Sequence, residues 1–178
     1  LYAIDVATGK ETALTTPGKT TGKDGAPTHG LSDYIAQEEL GESSGFFWSP
    51  KCDRIAYLEV DDRSVDAIPV LGFRGDADLM MQRYPRAGAK NAVVRAGIVD
   101  LATKKTTWLG WRTSEERYLG RFTWSDDGQA LFLQTLSRDQ KRLALVRVEP
   151  KTGATTEIAV ETSPAWVTFS PLRLLKRS

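Results

Sequence analysis

The sequence predicts an all-β fold: part of a β-propeller made of four-stranded antiparallel blades, with a short helical insertion. Three observations carry this. Short alternating or apolar runs are divided by turn residues at intervals of about ten positions. Long helical periodicity is absent. Two turn-centred sub-patterns recur along the chain, and copies of one of them stand at a spacing typical of propeller blades.

Taken in order, strands are predicted over residues 1–6, 46–48, 54–60, 92–100, 106–109, 122–124, 130–136, 142–149, 155–160 and 165–169, with one helical piece over 32–40. The first sub-pattern is an aromatic residue, a Ser, a turn and an apolar strand. It reads Trp48-Ser49-Pro50-Lys51-Cys52-Asp53-Arg54-Ile55 and returns as Trp124-Ser125-Asp126-Asp127-Gly128-Gln129-Ala130-Leu131. Phe169-Ser170-Pro171 reads as a third start. The second is an acidic residue closing a strand, then a turn containing Thr. It occurs at Asp5-Val6-Ala7-Thr8-Gly9, Asp100-Leu101-Ala102-Thr103-Lys104 and Glu149-Pro150-Lys151-Thr152-Gly153.

The last two copies are separated by roughly fifty positions, near one blade of sequence, and insertions account for the longer first interval. The expected organisation is the end of a preceding blade (1–17), an insertion (18–45), a blade with its own insertion at 61–90 (46–110), a second blade (111–162) and the start of another (163–178). A β-sandwich is the competing arrangement, and the blade-like recurrence favours the propeller. A closed ring takes at least about four blades. The expected shape is therefore an open arc of a longer chain, with raw faces that favour association with a second copy.

Composition narrows the function. A net charge of +1 leaves no electrostatic footprint for nucleic acid. No apolar run has the length of a membrane-spanning helix. The single Cys52 has no spaced Cys or His partner for zinc, and is expected to be a small, partly buried apolar residue. No cofactor or metal is expected.

Two motifs look catalytic. Gly41-Glu42-Ser43-Ser44-Gly45 matches the nucleophile elbow, which needs a strand before it, a helix after it, and an acid and a His downstream. Here a strand-like Phe46-Phe47-Trp48 follows, and the only His, His29, precedes Ser43. Residues 13–20, ending Gly18-Lys19-Thr20, match a loose phosphate-binding loop. That loop requires a helix after its Lys-Thr end, and Thr21-Gly22-Lys23-Asp24-Gly25-Ala26-Pro27 does not start one. His29 reads as a polar loop residue. No catalytic residue is expected in this chain.

The stretch of interest is Asp33-Tyr34-Ile35-Ala36-Gln37-Glu38-Glu39-Leu40. Adjacent carboxylates repel unless a cation relieves them. Neighbours on a regular helix point about 100° apart, so they converge on one ligand only at a short or distorted turn. An ammonium, with three donors and no acceptor, suits them best; a solvated acidic face is the alternative. Followed by Trp48-Ser49-Pro50, this stretch resembles the N-terminal propeller of dipeptidyl peptidases of the prolyl oligopeptidase family. Tyr84-Pro85-Arg86-Ala87-Gly88-Ala89-Lys90-Asn91, the hairpin Leu136-Ser137-Arg138-Asp139-Gln140 and Trp166-Val167 resemble further family motifs, in the same order. Phe169-Ser170-Pro171-Leu172 departs from the polar, acidic run expected there.

The resemblance implies that Glu38 and Glu39 grip the free α-amine of a peptide substrate. It implies a catalytic triad in a C-terminal α/β-hydrolase domain, absent here, and a carbonyl-binding Arg on a blade upstream of Leu1. The expected partners are therefore a peptide with a free N-terminus and that hydrolase domain. A non-catalytic propeller serving as a peptide- or protein-binding module is the alternative reading.

Overall fold

The computed structural model describes residues 1–16, 25, 27–71, 79–110 and 117–175. Strands β1 (Tyr2–Ile4) and β2 (Glu11–Ala13) form a hairpin. β3 (Thr28–His29) is followed by the helix α1 (Tyr34–Glu38), and β4 (Phe46–Trp48) leads into β5 (Arg54–Asp61). β6 (Ala67–Leu71) and β7 (Leu79–Arg83) pair only with each other. β8 (Val93–Asp100) and β9 (Thr106–Trp108) complete the first large sheet, in the order β3-β5-β8-β9 with β4 also on β5. The second sheet runs β10 (Arg117–Trp124), β11 (Leu131–Ser137), β12 (Arg142–Val148) and β13 (Thr155–Thr162), a four-stranded antiparallel meander. These two sheets are the blades.

Local turn chemistry explains why the hairpins fall where they do. After each acidic residue, a main-chain N–H four positions on bonds back to its carbonyl: Gly9 to Asp5, Lys104 to Asp100 and Gly153 to Glu149, each at 2.8 Å. All three donors lie in the left-handed region, with φ of 68°, 58° and 72°. Asp5 and Asp100 also take the N–H and hydroxyl of the Thr three residues on, between 2.7 and 2.9 Å. These are side-chain-capped turns of the kind Asp and Thr favour.

The Ser motif is equally regular. Ser49 and Ser125 accept, through Oγ, the N–H of the residue five positions on, and each donates to an Asp carboxylate. A third copy sits at Ser137, which accepts from the Arg142 N–H and donates to Asp139. The same stretch carries one of the motifs that resemble the family. Cys52, Gly128 and Gln140 hold the equivalent left-handed position, with φ of 53°, 69° and 55°. Cys52 is therefore an exposed turn residue rather than a partly buried one.

The two blades pack face to face. Ala56, Leu58, Val60, Ala96 and Ile98 from the first meet Leu119, Phe122, Leu131, Leu133, Ala144, Val146 and Val148 from the second. Phe47 stacks on Phe122 with centroids 4.7 Å apart, and Trp124 Nε1 donates to the Phe47 carbonyl at 3.1 Å. Because side chains alternate along a strand, Ile55, Tyr57 and Val99 face the other way and pack on Leu14, with Leu1 and Ala3 against the same cluster.

Residues 165–169, predicted as a strand, join no ladder. The Val167 N–H bonds to the Gln140 carbonyl at 2.7 Å, and Ser170 exchanges two 3.0 Å hydrogen bonds with the Gln134 side chain. A side-chain amide here takes the place of a neighbouring strand. β10 begins at Arg117, earlier than the predicted 122, and is kinked by a bulge between Gly120 and Thr123. β2, β3, β6 and β7 lie outside the predicted strand ranges. Residues 17–20, the end of the phosphate-binding-loop match, and part of the 61–90 insertion, 72–78, lie outside the described residues.

Candidate functional site

The acidic segment hangs from an interruption in the first blade. The edge of β5 is shared: Ile55–Tyr57 pair with β4, and Glu59 and Val60 pair with β3. Between them stands Leu58. Its carbonyl accepts from the Gly30 N–H, and its N–H donates to the Gly45 carbonyl, both at 2.8 Å. The chain thus leaves the sheet at Gly30 and returns at Gly45, with both feet on one residue. Two glycines are needed here. Gly30 has φ +79°, and a Cβ on Gly45 would lie 2.5–2.7 Å from the backbone of Leu31 and Gly30.

Between those feet, α1 makes little more than one turn. Ser32 is buried beneath it, and Gln37 Nε2 donates to the Ser32 carbonyl at 2.6 Å. The helix is shorter than the predicted 32–40. The Glu39 and Leu40 N–H groups both bond to the Ile35 carbonyl, Gly41 takes φ +68°, and the Glu42 N–H bonds to the Ala36 carbonyl at 2.8 Å. A left-handed Gly just past the last turn stops a helix.

Glu38 is the last helical residue and Glu39 the C-cap, with φ −106° and ψ −29°. Both are exposed. Neither carboxylate has a hydrogen-bond or ion-pair partner among the described residues. Glu38 also lines a cleft of about 300 Å³ that includes Ser32, Asp33, Tyr34, Arg83 and Pro85. Tyr34 packs on Tyr84 at 5.0 Å between ring centroids, joining α1 to the base of the β6–β7 arm. Desolvation, then the nearby Tyr84, Glu38 and Glu39, hold the Tyr34 phenol above its ordinary range. Burial likewise pushes the Asp33 carboxyl up.

Glu42 and Arg121 escaped the sequence reading as a pair. Glu42 is only 9% exposed. Its Oε1 accepts from both the main-chain N–H and the guanidinium of Arg121, and the same guanidinium donates to the Leu40 carbonyl at 3.4 Å. Arg121 sits in the β10 bulge at φ +56°, its guanidinium 5.7 Å from the centre of the Phe169 ring. Nothing in the one-dimensional pattern joins positions 79 residues apart; the one local signal available is Gly120, since a Gly within a strand often marks a bulge.

The decoy motifs resolve simply. Ser43 and Ser44 are exposed, and Ser44 Oγ donates to the Phe46 carbonyl. His29 is a strand residue rather than a loop residue, with its side chain buried. Its Nε2 lies 2.9 Å from Glu59, which also accepts from Arg95 at 2.5 Å. Burial acts to raise the Glu59 carboxyl, but the hydrogen bonds from Arg95 and His29 outweigh it and leave it below its usual range. Among the described residues no cluster of His, Cys, Asp and Glu could hold a metal ion. Trp166, singled out as a family motif, is 69% exposed.

Comparisons with known proteins complete the picture. A family model described as the dipeptidyl peptidase IV (DPP IV) N-terminal region matches residues 1–176. Prolyl endopeptidase FAP of Bos taurus is 31% identical over 131 residues, which cover 67% of this chain and 17% of that protein. Inactive dipeptidyl peptidase 10 of Rattus norvegicus is 28% identical over 154 residues, 83% of this chain and 19% of that protein. The chain thus spans less than a fifth of the length of these curated relatives. Among solved structures, dipeptidyl peptidase 4 of Porphyromonas gingivalis superposes with a TM-score of 0.80 at 22% identity, covering 91% of this chain and 23% of that one. A putative dipeptidyl aminopeptidase IV from Bacteroides ovatus gives 0.77 at 24% identity, covering 94% and 24%. At these identities the two structures speak to the fold.

Proposed function

Because this chain belongs to the dipeptidyl peptidase IV N-terminal-region family, we propose that it anchors the free α-amine of a peptide substrate through Glu38 and Glu39. The parent protein is then a serine dipeptidyl peptidase that releases X-Pro or X-Ala dipeptides, its triad supplied by an α/β-hydrolase domain outside this chain. The observation that carries the reading is the placement of the pair: two adjacent, exposed carboxylates with no cation partner among the described residues, at the end of a one-turn helix lifted off the first blade. A peptide α-amine has a pKa of about 7.7–8.0 and is mostly protonated at pH 7. Two carboxylates favour that charged form and hold it. An anchor at a fixed distance from a nucleophile measures length, so cleavage falls after the second residue.

Glu38→Gln and Glu39→Gln in the full-length protein test this. Each should lower kcat/KM on free-amine dipeptidyl substrates by about 1.5–3 kcal/mol of lost charge-assisted hydrogen bonding. Intact kcat/KM in both variants defeats the assignment. The isolated chain should not turn over a Gly-Pro chromogenic substrate, and Ser43→Ala should change nothing.

The similarity to an inactive dipeptidyl peptidase supports a second reading, a non-catalytic propeller that binds peptides or proteins. Covalent labelling of the full-length protein by a fluorophosphonate separates the two. Labelling favours the peptidase; peptide binding without labelling favours the binding module.

A further inference from the structure

We infer that Arg121 and Glu42 form a latch between the blades that positions the Glu38–Glu39 segment, which makes Arg121 a positioning residue for amine binding. This rests on the anchoring role proposed above. The helix α1 is rooted in the first blade, but the residues just after the acidic pair are fastened to the second. Leu40, one residue past Glu39, gives its carbonyl to the Arg121 guanidinium and packs with Leu136, Leu143, Val167 and Phe169. Glu42, three residues past Glu39, gives one carboxylate oxygen to both the main chain and the side chain of Arg121.

A guanidinium suits this task because its planar fork serves several acceptors at once. The backbone agrees. Arg121 is held at φ +56°, a conformation rare for a residue with a side chain. There its own N–H joins its side chain on Glu42. Phe169 contacts the same corner: its ring carbons lie 3.0–3.2 Å from where a Gly120 Cβ would stand. Removing Arg121 leaves a buried carboxylate without its cation, and such a charge moves toward water rather than staying dry. The residues that must then shift are those adjoining Glu39.

The test uses Arg121→Gly, which suits the left-handed backbone, and Glu42→Gln, both in the full-length protein. KM for a free-amine dipeptidyl anilide should rise about tenfold to a hundredfold, as expected for a misplaced charge-assisted contact, with kcat nearly unchanged. KM for the matching desamino anilide should stay the same, and in a Glu38→Gln/Glu39→Gln background Arg121→Gly should add nothing. Hydrogen exchange across residues 33–45 should accelerate in Arg121→Gly. An unchanged KM for the free amine, equal losses on both anilides, or unchanged exchange across 33–45 each overturns the latch. If Glu38→Gln and Glu39→Gln leave free-amine turnover intact, the anchoring reading fails by itself. The exchange at 33–45 then still decides whether the latch holds the segment.

Discussion

The two blades use the same turns for different ends. In the second, the edge strand β10 carries eight residues, and every described connection is a tight turn. In the first, the matching edge strand is split into Thr28–His29 and Phe46–Trp48, because the chain departs at Gly30 and lands at Gly45. The first blade also carries the β6–β7 arm. The regular blade thus serves as a platform for a segment rooted in the irregular one. Arg121 and the cluster around Phe169 are the surfaces it offers. Regularity in one repeat and interruption in its neighbour together hold the acidic segment in place.

Predictions follow that division. The largest effects should fall where the blades meet. Leu58→Ala and Leu133→Ala empty the same inter-blade core from opposite sides, and each should cost about 2–5 kcal/mol in denaturant unfolding. A much smaller loss in Leu133→Ala would mean that the second blade is not the platform. Next comes Gly45→Ala. A Cβ driven into the backbone at the root of the excursion should cost about 2–3 kcal/mol. Gly120→Ala, whose nearest atoms are side-chain carbons of Phe169 and Glu42, should cost about 1 kcal/mol. Equal costs would erase the contrast between a rigid root and a yielding platform.

Smaller effects should carry opposite signs in the two regions. Burial holds Asp33 above the ordinary aspartate range. The folded chain then takes up that proton more readily than the unfolded chain. Its charge costs stability at neutral pH, and the cost fades as pH falls through the raised value toward about 4, the unfolded value. Asp33→Asn should therefore raise the Tm at pH 7 and lose its advantage near pH 3. Asp127 is held below its ordinary range, first by the Ser125 hydroxyl and then by the Gln129 N–H. Its contribution is present above the unfolded value and lost as pH falls through the depressed one, so Asp127→Asn should lower the Tm at pH 7. Matching signs would refute the assignment of a desolvated, half-buried carboxyl to one blade and a turn carboxylate to the other.

The smallest expected effect tests whether the acidic turns are interchangeable. Lys104 stands where Gly9 and Gly153 stand in the other copies. Relief of the left-handed strain in Lys104→Gly, set against the added freedom of the unfolded chain, should leave a gain of about 0.5 kcal/mol. A loss would mean that the Lys104 side chain has a role of its own.

These turns were the legible part of the fold. Asp5, Asp100 and Glu149, with Ser49 and Ser125, announced their hairpins because the hydrogen bonds involved are local and the residue types few. The pair Glu38–Glu39 stood out as a candidate for the same reason, being adjacent in sequence, and the family resemblance supplied the anchoring role proposed for it. What escaped depends on partners distant along the chain. β3 is two residues long, and only the edge of β5 makes it a strand. Residues 165–169 had a strand's composition, but the Val167 N–H went to the Gln140 carbonyl and the neighbouring Ser170 to the Gln134 side chain. His29 was unremarkable until Glu59 stood beside it. The latch between Glu42 and Arg121 spans two blades, and no period or propensity encodes such a pairing.

The footing on Leu58 has a consequence for change over generations of sequence. Both ends of the excursion bond to one residue, so the ladder on either side keeps its register whatever lies between them. Lengthening the loop between fixed ends costs only closure entropy, about 0.6 kcal/mol for a doubling. The sheet would scarcely register the exchange. The blade therefore has the properties of a socket, in which the contents of residues 31–44 can be traded for a different loop while the two glycines and Leu58 stay in place.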